Sequence, residues 1–436
     1  MVLRRGELWH HPPRMKRKSH ARPDLVEGLA QPAVHASTRS ARTRFGTALL
    51  WFLAVASAPN LLARDFNACV RELRSEATAK GITAQTFDTA MTGVEPDQGV
   101  LDAMDNQPEF KLPIWDYMAV LVDEQRVADG RAKLTEWAAV LADAERKFGV
   151  DRHVVIAVWG IESDYGKVRG GRPLVRSLAT VSCFGGRQRF FRGELIATLR
   201  IVQNGDMLLQ DLVGSWAGAF GQTQFMPSTF ERTAVDFDGD GRRDIVGSVA
   251  DALGSAANYL KRAGWRSGEP WGYEVRLPAN YNGPSGRRDR RALAEWNRLG
   301  IRRLDGQALA GNGAAALFLP SGTEGPAFIV FKNFNAIYSY NAAESYALAI
   351  AHLSDRLRGA GPFQTPWPTD DPGLSRAERR ELQERLSARG FDVGTIDGAV
   401  GPRTRAAIEA FQASAGLPVN GRAGARVLRA LRASTP

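Results

Sequence analysis

Glu162 is the carboxylate of this sequence that is best placed to act as an acid. It lies in the run WGIESDYG, residues 159–166, among aromatic and apolar residues. A carboxyl group in apolar surroundings loses the hydration of its charged form, so its pKa rises and it stays protonated near neutral pH, as a general acid must. The alternative interpretation is a solvated glutamate at a helix end, because most glutamates in proteins stay exposed.

A helix is predicted to carry this glutamate. Asp151 has the chemistry of an N-cap residue, and apolar side chains follow over 152–161 at three- and four-residue spacings. Gly160 and Gly166 favour the end of the helix in this region. Glu162 is therefore expected near the C-terminal end of that helix.

A second candidate site is the run GSWAGAFGQTQFMPSTF, residues 214–230. Its glycines let the backbone approach a ligand closely, and the amides of Gln222 and Gln224 offer hydrogen-bond donors and acceptors. Surfaces of amides and aromatic rings suit neutral carbohydrates, whereas the competing interpretation is a glycine-rich turn packed by ordinary core aromatics. The rings on which a sugar could lie are those of Trp216, Phe220, Phe225 and Phe230.

A third signal is the run DFDGDGRRD, residues 236–244, which has the spacing of an EF-hand loop at its first positions. Hard oxygen ligands favour calcium, but the twelfth position is Gly247, where a bidentate glutamate belongs. A longer loop would reach the next carboxylate. The competing interpretation is an Asp- and Gly-rich surface turn. The expected ligands are Asp236, Asp238, Asp240, the carbonyl of Arg242, and Asp251.

Most of the positive charge lies at the N-terminus. The formal net charge is +10, and residues 1–45 hold a large excess of Lys and Arg over Asp and Glu. The apolar run that follows, 45–58, is too short for a spanning helix of about 20 residues and ends in small residues. It predicts an export signal with cleavage near Ala58 or Ala63, and an uncleaved anchor is the alternative. Because the leader accounts for most of the charge, nucleic acid is not expected as a partner.

The two cysteines, Cys69 and Cys183, form an even pair. In an exported chain such a pair favours a disulfide, and two buried free thiols are the alternative. The six histidines show no metal-ligand spacing, and neither a Ser-His-Asp order nor a phosphate-cradling loop is present in the sequence.

Helical periodicity dominates residues 65–358, and its clearest helical stretches cover 126–148, 195–213 and 249–263. Alternating or apolar segments with Gly and Pro between them predict a small inserted sheet at 273–277, 316–320 and 327–331. The main body is therefore expected to be mainly α.

A Pro- and Gly-rich linker is predicted over 359–373, and a second domain follows from Leu374. Its helical patterns cover 375–389, 404–415 and 424–431. The domain is too small for elaborate chemistry and shows no catalytic constellation, so binding is its expected role. Its first helix mixes glutamates with arginines, which is typical of a solvated face, and these arginines are Arg376, Arg379, Arg380, Arg385 and Arg389.

Taken together, WGIE at 159–162, the run 214–230, Asn258-Tyr259 and Tyr340-Asn341 resemble the membrane-bound lytic transglycosylase B family of peptidoglycan-cleaving enzymes. The resemblance covers about residues 66–357. Separately, residues 374–433 resemble the small helical peptidoglycan-binding domain found beside many cell-wall hydrolases, through motifs that include DGAVGPRT at 397–404.

The resemblance implies a lysozyme-like catalytic domain, mainly α, with a small inserted β region, followed by a three-helix peptidoglycan-binding domain. Its activity would be cleavage of the β-1,4 bond between N-acetylmuramic acid and N-acetylglucosamine without water, leaving a 1,6-anhydromuramoyl end. Glu162 would act first as acid and then as base. The residues it places along the glycan cleft are Ser215, Gln224, Phe225, Tyr259, Tyr340, Asn341 and Tyr346. An elongated calcium loop is also implied.

Ordinary glycosidases use two carboxylates, about 5–5.5 Å apart when retaining and about 6.5–9.5 Å apart when inverting. Asp164 is the nearest candidate for a second one. Residues two apart on a helix do not face each other, so Asp164 is not expected to share a cleft with Glu162 if the helix persists through Ser163. Residues distant in sequence could still supply a second carboxylate, so a hydrolytic muramidase remains an alternative, as does a non-catalytic scaffold that only binds peptidoglycan.

The expected domains are a basic leader with signal peptide over 1–63, a catalytic domain over 64–358, a linker over 359–373 and a peptidoglycan-binding domain over 374–436. We expect a periplasmic, monomeric enzyme whose partner is the glycan strand, with peripheral membrane association as an additional property. The chemistry needs no cofactor, and calcium would be structural.

Overall fold

The computed structural model describes residues 61–105 and 113–433. The predicted signal sequence, with its apolar run 45–58, lies outside the described residues. Residues 61–63, which the prediction assigned to the leader, lie in the first helix. No helix in the described part of the chain has both the length and the apolar character needed to cross a membrane.

The main body is built mainly from helices, as the helical periodicity predicted. Their bounds are α1 Leu61–Ala79, α2 Ala84–Met91, α3 Gln98–Asp105, α4 Ile114–Leu121, α5 Glu124–Glu136, α6 Ala138–Phe148, α7 Arg152–Ser163, α8 Leu174–Phe184, α9 Gln188–Gln203, α10 Pro227–Thr233, α11 Val249–Arg262, α12 Leu293–Arg298, α13 Lys332–Tyr338 and α14 Glu344–Leu357. The predicted helix over 126–148 is two helices, because Trp137 leaves the helical conformation between α5 and α6. The stretch predicted over 195–213 ends as a helix at Gln203, just before Gly205 with its positive φ of 75°.

Two cores hold the helices of the body. One lies around α7 and is formed with α5, α6, α11, α13 and α14. The other packs α8 and α9 against α1, α2 and α10. Tyr259 and Tyr340 pack against both cores, so these two tyrosines lie where the two halves of the body meet.

The inserted sheet has five antiparallel strands in the order β4-β6-β7-β3-β5. Residues in its central strands alternate between two buried faces, as the strand period of two requires. Phe328 and Val330 contribute to the core around α7, whereas Ala327 and Ile329 pack with α12 on the other side. The bounds are β3 Gly272–Arg276, β4 Arg290–Ala292, β5 Arg302–Arg303, β6 Ala314–Phe318 and β7 Ala327–Val330, and a separate pair joins β1 Arg172–Pro173 to β2 Val213–Gly214.

The C-terminal domain has three helices around its own small core. They are α15 Arg376–Ser387, α16 Pro402–Ser414 and α17 Ala425–Ala433. Ser375 caps α15 in a capping box with Glu378, and Pro402 opens α16 at a position where a missing N–H costs nothing.

The segment predicted as a linker packs on the body. The Phe363 ring stacks on His352 of α14 with 3.8 Å between ring centroids, and Glu274 of β3 accepts hydrogen bonds from the backbone N–H groups of Gln364 and Thr365 at 2.8 Å each. The described chain from residue 61 onward therefore belongs to one compact unit that includes the C-terminal domain.

A disulfide joins Cys69 of α1 to Cys183 of α8 across a sequence separation of 114 residues. It ties the N-terminal helix to the core around α8 and α9. In the chain-entropy model a crosslink over a loop of about this length stabilises the folded state by roughly 4–5 kcal/mol.

Candidate active site

Glu162 lies in the last turn of α7, the central helix of the body. Asp151 caps the helix by accepting a hydrogen bond from the His153 N–H at 2.8 Å, as predicted. Residues 154–160 are all buried, so the helix is fixed on every side before it reaches the glutamate. A Cβ at Gly160 would lie 2.6 Å from the Tyr165 ring, so only glycine allows the chain to fold back beside Glu162.

The half-buried Glu162 carboxyl group has a strongly raised pKa. Burial removes the hydration of its charged form and raises the pKa to about 8. The hydroxyl of Tyr346, on α14, donates a hydrogen bond to Glu162 Oε1 and opposes the rise, because it stabilises the carboxylate. Glu162 is thus protonated at neutral pH, and the Tyr346 hydroxyl can donate a hydrogen bond to its ionised form.

A stack of aromatic rings leads from Tyr346 across the boundary between the two cores. Tyr346 stacks on Tyr340 with 6.3 Å between centroids, and Tyr340 lies 4.7 Å from Tyr259. Burial raises the pKa of each of these three phenols. All three hydroxyls therefore remain hydrogen-bond donors at the pH values at which Glu162 titrates.

The backbone holds two of these hydroxyls in place. Tyr340 Oη donates to the carbonyl of Thr223 at 2.8 Å, and Tyr259 Oη donates to the carbonyl of Ser339 at 2.7 Å. The first bond ties the aromatic stack to the run 214–230, so the second candidate site of the sequence does lie beside the first.

Gln222 fixes the run 214–230 to the helix that carries Glu162. Its Oε1 accepts from Trp159 Nε1 at 3.0 Å, and its backbone carbonyl accepts from the Ser163 hydroxyl. Gly166 passes so close that a Cβ there would lie 2.3 Å from Gln222 Oε1. The Gln222 amide was expected to bind a ligand, but the residue is only 7% exposed, and its amide oxygen instead accepts a hydrogen bond from Trp159 within the protein.

Three other predicted binding residues lie at turns of the chain. Gln224 adopts a left-handed conformation with φ 49°, and its Nε2 donates to the carbonyls of Gly221 at 2.8 Å and Arg169 at 3.1 Å. Ser215 Oγ accepts from the Ala219 N–H at 3.0 Å, and Asn341 is exposed after α13.

The expectation that Phe220, Phe225 and Phe230 offer flat faces to sugars is wrong. Each ring is at most 1% exposed, because the core around α8 and α9 needs their apolar surface. Phe225 instead lies beneath the tyrosines, with its centroid 5.9 Å from that of Tyr259 and 5.8 Å from that of Tyr340. Its contribution to the site is therefore to support these two rings.

The expectation that Asp164 stays out of the cleft of Glu162 is also wrong. The helix does persist through Ser163, but Asp164 then adopts a left-handed conformation with φ 50°, and both residues line one cavity of about 550 Å³. A second cavity, of about 630 Å³, lies at the opposite end of α7 beside Asp151 and is not lined by Glu162.

Asp164 is nevertheless kept ionised. Burial alone would raise its pKa, but the hydrogen bond from Arg376 and the charges of Arg126 and Arg376 lower it below the usual value. Arg376 Nη1 lies 3.1 Å from Asp164 Oδ2, and Arg126 Nε lies 3.4 Å from Asp164 Oδ1. Two carboxyl groups at one helix end thus have pKa values shifted in opposite directions.

The C-terminal domain lines part of this cavity, which was not predicted from the sequence. Arg376, Arg379 and Arg380 were predicted to form a solvated face, yet all three line the cavity with Glu162, and Arg379 is only 8% exposed. Nothing local in the sequence marks them, because the contact joins residues more than 200 positions apart.

The run 236–244 forms a compact acidic loop. Side-chain oxygens of Asp236, Asp238 and Asp251 lie within 4.8 Å of one another, whereas Asp240 is not in this group. Arg242 contributes a backbone N–H bond to Asp240 in the same loop. Burial raises the pKa of Asp251, since backbone N–H groups only partly offset its desolvation. A cluster of three oxygen donors with one buried carboxylate fits a hard divalent cation.

Comparisons with known proteins place these sites in context. Residues 65–355 match the family model described as the transglycosylase SLT domain, and residues 375–431 match the putative peptidoglycan binding domain. The chain is 30% identical over 289 residues to membrane-bound lytic murein transglycosylase B of Escherichia coli. The aligned residues cover 64% of this chain and 79% of that protein.

Two solved structures are similar over most of the fold. The structure of SltB3 from Pseudomonas aeruginosa in complex with NAG-anhNAM-pentapeptide shares 45% identity and a TM-score of 0.68, covering 84% of this chain and 99% of that one. The structure of the Escherichia coli lytic transglycosylase Slt35 in complex with calcium shares 28% identity and a TM-score of 0.60, covering 66% and 92%.

The raised pKa of Glu162 predicts a pH-dependent cost to stability. The unfolded carboxyl ionises near its ordinary pKa of 4.5, whereas the folded one holds its proton up to about pH 8. Wild-type stability should therefore fall between these pH values, by at most about 1.4 kcal/mol per pH unit. Relative to wild type, Glu162→Gln should gain in melting temperature as the pH rises from 4.5 to 8.

The exposed Glu136 provides the matched control. Glu136→Gln removes a carboxylate whose side chain is 49% exposed and whose ion pair with Lys133 lies at the surface, so the melting temperature should change little from that of wild type. A constant difference between Glu162→Gln and wild type over the same range would contradict a desolvated glutamate.

Proposed function

The chain belongs to the transglycosylase SLT domain family and is a lytic murein transglycosylase, and we propose that Glu162 is its single acid–base group. The bond cleaved is the β-1,4 linkage between N-acetylmuramic acid and N-acetylglucosamine. The observation that carries the proposal is the position of Glu162 at the end of α7, where it lines a cavity, accepts a hydrogen bond from Tyr346 and has its pKa raised by burial to about 8.

The first step is protonation of the bond to be broken. Glu162 gives its proton to the glycosidic oxygen, the bond from that oxygen to C1 of the muramoyl residue breaks, and the N-acetylglucosamine side leaves as an alcohol. Positive charge then develops at C1 and the ring oxygen, while Glu162 becomes a carboxylate. The Tyr346 hydroxyl stabilises that carboxylate through its hydrogen bond.

The second step closes the anhydro ring. The Glu162 carboxylate takes the proton of the muramoyl C6 hydroxyl, whose oxygen attacks C1 and forms the 1,6-anhydro bond. Glu162 is again protonated, so proton and charge balance over the cycle without water. One group can serve both steps because burial favours its acid form and Tyr346 favours its base form.

A hydrolytic muramidase is the main alternative, and it needs a second group to activate water or attack C1. Asp164 and Asp397 line the same cavity, but two arginines hold the Asp164 carboxylate in ion pairs. The backbone N–H of Ala399 donates to Asp397 Oδ1 at 2.7 Å and lowers the pKa of that carboxyl. A carboxylate engaged in this way is a poor base and a poor nucleophile. The structure of the cavity thus favours intramolecular attack by the C6 hydroxyl over attack by water.

The remaining parts of the proposal concern location and support. We infer that the enzyme acts in the periplasm on glycan strands, with its C-terminal domain holding the wall, and that it works as a monomer with peripheral membrane contact. The relative crystallised with calcium supports a structural calcium ion held by Asp236, Asp238 and Asp251. Such an ion would fix the loop between α10 and α11 and take no part in bond cleavage.

Product analysis tests the reaction and the acid together. Mass spectrometry of soluble products from purified sacculi should show 1,6-anhydromuramoyl ends with wild type. Glu162→Gln should lower the rate by about 10²–10⁴-fold, the range that general acid–base catalysis contributes. Glu136→Gln, at an exposed site far along α5, should keep the wild-type rate.

Other results of the product analysis would contradict the proposal. Reducing muramic ends from wild type would establish hydrolysis instead. Full activity of a folded Glu162→Gln variant would assign the acid to another residue, and the absence of soluble products from wild type would make the body a non-catalytic scaffold.

Chelation tests the calcium loop. Saturating chelator should lower the melting temperature of wild type by about 5 °C, because an ion that binds only the folded state stabilises it by mass action. The double variant Asp236→Asn, Asp238→Asn should show no response to chelator. An unchanged wild-type melting temperature would refute the ion site.

A further inference from the structure

The cavity at Glu162 has walls from two domains. The body supplies Glu162 and Asp164 at the end of α7, and the C-terminal domain supplies α15 and the turn 397–400. The cavity is open to solvent, and its lining runs from Glu162 to the C-terminal domain, so it has room for a substituent of a bound glycan.

Two ion-pair contacts hold the C-terminal domain in this position. Arg376 binds Asp164 through both terminal nitrogens, at 3.1 and 3.3 Å. Arg422 binds Asp116 of α4 in the same two-point manner, at 2.9 and 2.6 Å. Forked contacts of this kind fix orientation as well as distance, so α15 is held at a defined place over the cleft.

Arg380 differs from the other arginines of the cavity because it is exposed, and the nearest acidic charge that acts on it is that of Asp397. Arg126 and Arg376 share Asp164, and Arg379 donates to the carbonyls of Gly398 and Leu374. Arg380 Nε donates to the carbonyl of Asp397 at 3.2 Å, and no salt bridge within 4.0 Å joins its guanidinium to a carboxylate of residues 65–104 or 113–433.

The charge of the cavity favours an anionic ligand. Its lining has four arginines against two ionised aspartates, Asp164 and Asp397, while Glu162 is neutral below about pH 8. The sugar rings of the glycan carry no charge that would need this excess. The stem peptides attached to the muramoyl residues do, because they carry free carboxylates.

We propose that Arg380 recognises a stem-peptide carboxylate of the muramoyl residue whose bond Glu162 cleaves. The inference rests on the proposed function, and it makes the C-terminal domain part of the substrate site. The planar guanidinium matches a carboxylate in two parallel hydrogen bonds. Arg380 lines the same cavity as Glu162, and the carbonyl of Asp397 engages only its Nε, so the two terminal nitrogens are left to bind a ligand. Peptide-bearing glycan is then a better substrate than the same glycan without peptides.

The test compares two substrates with variants of the full-length enzyme. One substrate is soluble glycan strands with intact stem peptides, and the other is the same strands after an amidase has removed the peptides. Arg380→Gln should lower kcat/KM for anhydro product by about tenfold on peptide-bearing strands, the size expected for one charged hydrogen-bond contact. On peptide-free strands its kcat/KM should equal that of wild type.

Arg385→Gln is the matched control, since Arg385 lies on the same helix, pairs with Glu381 and does not line the cavity. It should behave as wild type on both substrates, and Arg380→Glu should lose more than Arg380→Gln on peptide-bearing strands only. Equal losses on both substrates, or no loss on either, would overturn the role of Arg380. Failure of wild type to form anhydro ends would instead overturn the proposed function.

Discussion

The desolvation of one carboxyl group governs the arrangement of this active site. A glutamate in water has a pKa of about 4.5, and burial at the end of α7 raises the pKa of Glu162 to about 8. That burial depends on the surrounding scaffold. Gln222 ties the run 214–230 to Trp159 and Ser163, and Tyr346 of α14 donates a hydrogen bond to the Glu162 carboxyl. In the proposed cycle Glu162 first gives and then takes a proton; partial burial favours its acid form, and the Tyr346 hydroxyl favours its carboxylate form.

The same helix end shows how strongly the local environment determines chemistry. Asp164 is two residues from Glu162 and lines the same cavity, yet Arg126 and Arg376 hold its pKa below the ordinary value. Opposite pKa shifts in these neighbouring carboxyl groups support Glu162 as the proposed acid and leave Asp164 as a structural anion. Because Arg376 belongs to the C-terminal domain, the charge on Asp164 also links the wall-binding domain to the catalytic helix.

Local features of the fold could be predicted from the sequence, and tertiary features could not. Apolar periodicity and the Asp151 cap identified α7, alternation identified β3, and a β-branched and aromatic run identified β7. The place of Glu162 near a helix end followed from the same local pattern. The burial of Phe225, the turn of Asp164 into the cleft and the presence of Arg380 depend on contacts between distant segments. A single sequence contains no local signal for such contacts, so these residues were assigned to the wrong surroundings.

Direct titration of Glu162 is the most decisive measurement for this account. Carbon-13 NMR of the side-chain carboxyl, assigned by its loss in Glu162→Gln, should give a midpoint near pH 8 in the folded wild-type protein. In Tyr346→Phe the midpoint should move to higher pH, because the hydrogen bond that stabilises the carboxylate is gone. A wild-type midpoint near 4.5 would show that Glu162 is a solvated carboxylate and would contradict its role as the single acid–base group.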